Sequence, residues 1–229
     1  MASFRFWNRG HFYRWYCFIS CRKIAKTRGK PPMSHQSEIR KRIQTKRQSL
    51  TKQQQTNYSA QICQQIVNSG VLDNAGHIAF YLPVRGEADP TPLQLIDAYQ
   101  DKHFYLPILS EHKENHLAFA RYDENTQMVL NRFRIPEPDV ATASLLHDPS
   151  QLDVVIAPLV GVDSRGNRIG MGGGFYDRTF AFKKDENSSP LLIGFAYDFQ
   201  LIEPQTPQDW DVAVDQIALQ SQYLSTDDL

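Results

Sequence analysis

Asp153-Val154-Val155-Ile156-Ala157-Pro158, followed after a short turn by Gly166-Asn167-Arg168-Ile169-Gly170-Met171-Gly172-Gly173-Gly174-Phe175-Tyr176-Asp177-Arg178, reads as a buried strand, a glycine-rich loop and the opening of a helix. The apolar run Val154 to Ala157 is rich in β-branched residues, and Pro158 ends it. Glycines this dense let the backbone approach a ligand closely. Successive N–H groups in such a loop form an anion-binding concavity. Arg168 and Arg178 add forked donors suited to phosphate oxygens. Asp177 is placed to hold a magnesium ion shared with phosphates. It is equally placed to pair with Arg178 or to cap the helix, which runs on toward Lys183. The segment lacks the lysine of a P-loop and is not a clean dinucleotide fingerprint. A nucleotide-phosphate site is the reading it supports.

Outward from this unit, strands and helices alternate. Glu38 to Gln48 is basic and helical in propensity; Arg40, Lys41 and Arg42 either reach phosphates or form a solvated face. Leu50 to Gln55 starts a second helix, with Tyr58, Ile62, Ile66 and Val67 at helical spacing. Gly70 and Asp73-Asn74 end it. His77 to Leu82 reads as a buried strand stopped at Pro83. The loop Val84 to Pro90 carries Glu87, either a substrate-orienting carboxylate or a plain exposed one. Thr91 is placed to cap a helix to about Tyr99, with Pro92 in its first turn. His103 to Leu106 is the next strand, stopped by Pro107. Leu117 to Tyr122 follows as a strand and Asn131 to Asp139 as a proline-marked connection. Leu152 to Ala157 and Leu191 to Tyr197 are strands, and Lys184 to Pro190 is a polar loop. Asp211 and Asp215 read as strand-edge acids. This order predicts an α/β fold with a mostly parallel sheet. In such sheets ligands sit beyond the strand carboxyl ends, where Glu87, Pro107 and the glycine run all fall.

A chain of 229 residues, 41% of them apolar, can bury a proper core and fits one domain or two small ones. Formal charge is zero, but residues 1–33 hold eight Lys/Arg and no Asp/Glu. The remainder keeps 17 basic and 25 acidic side chains, a net of −8. An acidic body argues against broad nucleic-acid binding. Residues 1–33 show no helical or strand period. They form a non-domain extension with three readings: a basic arm for RNA or a membrane surface, an organellar presequence, or residues upstream of a true start at Met33. The third is favoured, because Ser34 to Glu38 looks like a helix start, and residues 34–229 are then the domain. No segment is long and apolar enough to span a bilayer. Cys17, Cys21 and Cys63 make no metal or disulfide framework, so reduced thiols in a cytoplasmic protein are expected.

The two quoted runs, extended through Leu159 to Asp163, resemble the signature of the 5-formyltetrahydrofolate cyclo-ligase (5,10-methenyltetrahydrofolate synthetase) family, roughly P-x-x-x-x-D-x-x-G-x-R-L-G-x-G-x-G-[FY]-Y-D. The likeness extends through Glu38-Ile39-Arg40-Lys41-Arg42, Phe80-Tyr81-Leu82 with Glu87, Arg134-Ile135-Pro136-Glu137-Pro138, and Trp210-Asp211 with Asp215. Residues 1–33 have no counterpart. The resemblance implies a single three-layer α/β domain, NagB/RpiA/CoA-transferase-like, with helices on both faces of the sheet. It implies a monomeric, cytoplasmic enzyme that uses ATP and Mg2+ to convert 5-formyltetrahydrofolate, polyglutamylated or not, to 5,10-methenyltetrahydrofolate. The γ-phosphoryl group goes to the formyl oxygen, N10 attacks, and ADP and phosphate are released.

Carried over by position, ATP contacts fall to Arg40, Lys41, Arg168, Ile169, Gly170, Met171, Gly172, Gly173, Gly174, Phe175 and Tyr176. Folate contacts fall to Leu82, Glu87, Phe133 and the loop from Met171 to Phe175. Magnesium falls to Asp177 and Asp211, and catalytic roles to Arg168, Tyr176 and Asp177. Two departures stand out. Gln36 and Ser37 occupy positions near which a basic residue is usual, and Met171 and Gly173 lie where some members carry basic residues. The rival readings are a nucleotide- or RNA-binding module using the glycine loop and basic arm, and an NAD(P)-binding α/β enzyme. The preferred reading has neither a nucleic-acid nor a membrane partner.

Overall fold

The computed structural model describes residues 34–184 and 189–226. The expectations for residues 1–33, and for 185–188 of the polar loop, lie outside the described residues. Helix α1 (His35–Gln48) starts at Ser34, whose hydroxyl accepts the Ser37 N–H at 3.3 Å. Helix α2 (Lys52–Ser69) opens with a reciprocal capping box between Thr51 and Gln54. It closes on Gly70 in the left-handed conformation, φ 67°. The strands are β1 (His77–Ala79), β2 (His103–Leu109), β3 (Leu117–Arg121), β4 (Met128–Leu130), β5 (Pro136–Pro138), β6 (Leu145–Leu146), β7 (Val154–Ala157), β8 (Gly161–Val162), β9 (Arg168–Ile169), β10 (Leu191–Phe195), β11 (Gln216–Ala218) and β12 (Tyr223–Ser225). Helix α3 (Phe175–Thr179) lies between β9 and β10 and continues as a 3-10 turn to Lys184.

Eight strands form one sheet in the order β12-β11-β10-β7-β1-β2-β3-β6. The centre, from β11 to β2, is parallel. Antiparallel strands border it: β12 on one side, β3 and β6 on the other. The mostly parallel α/β sheet expected from element order is therefore present. On one face Ile62 and Ile66 of α2, with Leu93 and Tyr99, pack on Ile78, Phe104, Ile156 and Ile193. On the other, Phe180, Tyr176 and Val214 pack on Ala79, Val155 and Leu192. Val154 and Ile156 serve one layer and Val155 the other, which is why β7 is apolar at every position.

The connections place the site. β1 reaches β2 through turns that pack on the α2 side, whereas β7 reaches β10 through α3 on the opposite side. These two strands are neighbours, so the crevice between their carboxyl ends is a topological switch point. Glu87 follows β1, and the glycine run follows β7.

Three local expectations are corrected. Thr91 does not cap a helix to Tyr99; two 3-10 turns, Thr91–Leu95 and Asp97–Tyr99, meet at an extended Ile96. Pro90 and Pro92 supply no N–H, and one turn is too short to sustain an α-helix. Pro107 does not stop β2, which continues to Leu109 paired with β3, Pro107 opposite Phe119. Tyr105 accepts the Phe80 N–H at 3.0 Å, and Pro107 faces the same side, so proline ends pairing with the β1 segment only. The connection Asn131 to Asp139 contains a strand: β4 and β5 form a separate hairpin, with Met128 opposite Pro138 and Leu130 opposite Pro136. Proline is tolerated there because neither strand has a second neighbour.

Candidate active site

Asp163 is fully buried and organises the turn before the glycine run. Its Oδ1 accepts the N–H groups of Arg165 and Asn167 at 3.0 and 2.9 Å. Its Oδ2 accepts the Asn167 amide at 3.0 Å and the Gln205 N–H at 2.7 Å. A carboxylate held by four donors fixes the β8–β9 hairpin. Gly166 sits at its tip with φ 81°, where a Cβ would lie 2.2 Å from the Val214 carbonyl oxygen. The hairpin delivers Arg168 to the crevice.

Arg168 is nearly buried. Its Nη2 meets Asp177 Oδ1 at 2.7 Å, its Nη1 donates to the Val212 carbonyl, and the guanidinium lies 5.8 Å from the Tyr176 ring centre. Asp177 Oδ1 also accepts the Val212 N–H at 3.2 Å. β9, α3 and the segment before β11 are thus tied at one point. Burial pulls the Arg168 pKa below the usual guanidinium range, opposed chiefly by the charge of Asp177 and also by that of Asp211. Burial also pushes Tyr176 well above the usual tyrosine range, against Arg168. Asp211 Oδ2 accepts the Gln208 N–H at 2.8 Å.

Helix α1 meets the glycine run along one stripe. Arg40 Nε donates to the Gly170 carbonyl at 2.8 Å, and Gln44 Nε2 approaches Met171 Sδ at 3.4 Å. Gln36 braces Arg40, accepting its Nη2 at 3.3 Å. Arg178 folds back so that Nη1 donates to the Gly173 carbonyl at 2.7 Å. Lys41 is exposed and makes no side-chain hydrogen bond to the loop. Ile169 is buried with Ile39, Ile43 and Val160, so only its main chain is available to a ligand. At Gly170 and Gly172 an added Cβ would meet no atom of the described residues, its chain neighbours aside, within 4 Å.

Glu87 lies across the crevice. Its Oε1 faces Arg47 Nη1 at 3.4 Å and its Oε2 accepts the Val84 N–H at 3.1 Å. It is a buried carboxylate, unlike the exposed alternative. Burial raises its pKa, opposed by the Val84 N–H, Arg47 and Arg85. Its charge is felt at Tyr176, which links the two sides of the site. Leu82 is partly buried and packs against the core layer on the α2 side. From the other direction the β4–β5 hairpin brings Phe133 edge-on to Phe175, centroids 5.9 Å apart. Asn131 shapes that tip, its side-chain oxygen accepting the N–H groups of Phe133 and Ile135 at 2.9 and 3.1 Å. A cavity of about 250 Å³ opens beside Phe175, lined also by Leu109, Ser110, Asn131 and Arg132.

A family model described as the 5-formyltetrahydrofolate cyclo-ligase family matches residues 32–220. The chain belongs to that family. It is similar to the 5-formyltetrahydrofolate cyclo-ligases of Escherichia coli and Haemophilus influenzae. The first is 37% identical over 172 residues, covering 74% of this chain and 92% of the relative. The second is 37% identical over 175 residues, covering 76% and 92%. The solution structure of the Aquifex aeolicus 5,10-methenyltetrahydrofolate synthetase superposes with a TM-score of 0.69 at 26% identity, covering 83% of this chain and 92% of that one. As a cyclo-ligase family member the chain is an enzyme, a ligase of folate one-carbon chemistry.

Within this family frame, sequence reasoning placed Glu87, Arg168, Asp177 and the glycine run together, and the structure gathers them. It missed Arg47, the Arg178 return to Gly173 and the Val212 main chain. The spacing Ile39, Ile43, Arg47 on one helical stripe was the available signal for the first.

Proposed function

We propose that this chain closes 5-formyltetrahydrofolate to 5,10-methenyltetrahydrofolate with MgATP, releasing ADP and phosphate. The observation that carries the nucleotide part is Gly170. Its φ is not left-handed and, among the described residues, no atom beyond its chain neighbours lies within 4 Å of where its Cβ would stand. Among the described residues nothing demands glycine there, which supports close approach of a ligand to the backbone. The site lies at the switch point, where α/β sheets bind such ligands.

In this reading Arg40 and Arg168 flank the triphosphate, and guanidinium groups already fixed by protein acceptors stabilise developing charge without reorganising. The folate ring lies against Phe133 and Phe175 and meets Glu87. An N-formyl amide is a poor electrophile with a poor leaving group. Transfer of the γ-phosphoryl group to the formyl oxygen changes both. N10 then attacks the formyl carbon and loses its proton, and phosphate departs with the former formyl oxygen. Both reacting centres belong to one molecule, so orientation supplies most of the advantage. No protein nucleophile is needed.

The donors suit a magnesium ion shared with phosphates. No cluster of three or more His, Cys, Asp or Glu occurs among the described residues. Magnesium at nucleotide sites takes one or two carboxylates and completes its shell with phosphate and water oxygens. Asp177 and Asp211, the acids whose charges act on Arg168, would hold it. When bound it neutralises charge on the transferring phosphoryl group.

The test is spectroscopic detection of methenyltetrahydrofolate formed from 5-formyltetrahydrofolate, with ATP, magnesium or both omitted in parallel. Product only in the complete mixture is expected. Absence of product in the complete mixture overturns the reading.

A further inference from the structure

Arg47 is fully buried, at 0% exposure, on a helix whose other basic residues face solvent or the glycine run. Its contacts are sparse. Nη1 lies 3.4 Å from Glu87 Oε1 and 3.5 Å from the Leu159 carbonyl oxygen. Nε and Nη2 have no hydrogen-bond partner among the described residues. The Leu159 carbonyl is already served by Gln200 Nε2 at 3.0 Å, which also reaches the Val160 carbonyl at 2.9 Å. Among the described residues Glu87 is the carboxylate that pairs with Arg47. Stability alone accounts poorly for this arrangement. Buried ion pairs often contribute no more than apolar side chains of similar volume, and unpaired buried donors destabilise.

We infer that Arg47 is a positioning residue, which holds the Glu87 carboxylate ionised and oriented as the acceptor for N–H donors of the bound folate ring. The inference rests on the folate reading above. Among the described residues, the charged or titratable groups facing Glu87 are Arg47, Arg85, Tyr81, Tyr176 and Tyr197. The three tyrosines are pushed up by burial and stay neutral through the physiological range. Burial raises the pKa of Glu87, while the Val84 N–H and the two arginines lower it. Removing the Arg47 charge takes away one lowering influence. Glu87 then takes up its proton at higher pH, and folate recognition fails earlier on acidification.

The experiment compares wild type, Arg47→Met, Arg47→Lys and Glu87→Gln by steady-state kinetics across the acid limb, varying folate and ATP separately. Arg47→Met should raise the folate KM about tenfold while the ATP KM stays within about twofold. Its acid limb should move to higher pH, and Arg47→Lys should bring the limb part of the way back. Glu87→Gln, which keeps the Arg47 side chain, should lose that limb. If Arg47→Met does not fold, Arg47→Lys and Glu87→Gln carry the test. An acid limb unchanged in Glu87→Gln, or a lysine variant whose two KM values rise together, overturns the role of Arg47. Wild-type turnover with unchanged limbs in the variants sinks this inference and leaves the proposed function standing. Wild type without turnover sinks both.

Discussion

At Gly166 a Cβ would stand 2.2 Å from the Val214 carbonyl oxygen, on a backbone with φ 81°; at Gly170 it would meet nothing within 4 Å among the described residues beyond its chain neighbours. The same residue type in one loop therefore answers to the fold at one position and, in the proposed reading, to the ligand at the other. Gly166→Ala should lower stability by about 2–4 kcal/mol, from the left-handed conformation and the collision with main chain. Urea unfolding measures this, and an unshifted midpoint would mean the turn can relax. Gly170→Ala should leave stability within about 0.5 kcal/mol, as at an open surface position. It should raise the ATP KM about tenfold, because the methyl occupies space the nucleotide needs. An unaltered KM would move the nucleotide away from this residue. Sequence showed both glycines and could not distinguish them, since the difference lies in Val214, a residue distant in the chain. Arg47 was legible in principle, on the stripe with Ile39 and Ile43, but charge made a solvated face the natural reading.

At the scale of elements, helices with strong local signals read well. Ser34, Thr51 and Gly70 act as caps where their residue types suggest. Prolines misled, because their effect depends on neighbours. Pro107 removes one donor on one side of β2, and only the sheet order shows that β3 pairs on the other side. The β4–β5 hairpin was hidden by Pro136 and Pro138, which ordinarily argue against a strand. Its tip carries Phe133, 51% exposed, edge-on to Phe175. Phe133→Ala should therefore change the melting temperature little. It should raise the folate KM about five- to tenfold through loss of an aromatic wall, with the ATP KM unmoved. A rise in the ATP KM instead would place the adenine, rather than the pterin, under the hairpin.

For the whole molecule, Cys63 reports on cohesion. It lies on α2 inside the core over the parallel strands, and burial pushes its thiol up to about 12. A thiol so placed is unreactive until the core opens. Labelling of the Cys63 peptide, followed by mass spectrometry, should track global unfolding in urea. Rapid labelling under native conditions would show that α2 detaches on its own. The alternation of strand and helix, the apolar β7 run and the glycine-rich signature were enough to set an α/β sheet with a glycine-rich loop after one strand, since each rests on neighbours in the chain. Which side chains meet in the crevice was not legible, because those meetings join residues far apart in sequence. Arg40 reaches Gly170, Arg168 reaches Val212, Phe133 reaches Phe175 and Arg47 reaches Glu87 only once the tertiary fold, with the sheet order β11-β10-β7-β1-β2-β3, has brought these distant segments together. Local propensity and spacing carry no information about that order, whereas burial of both sheet faces does.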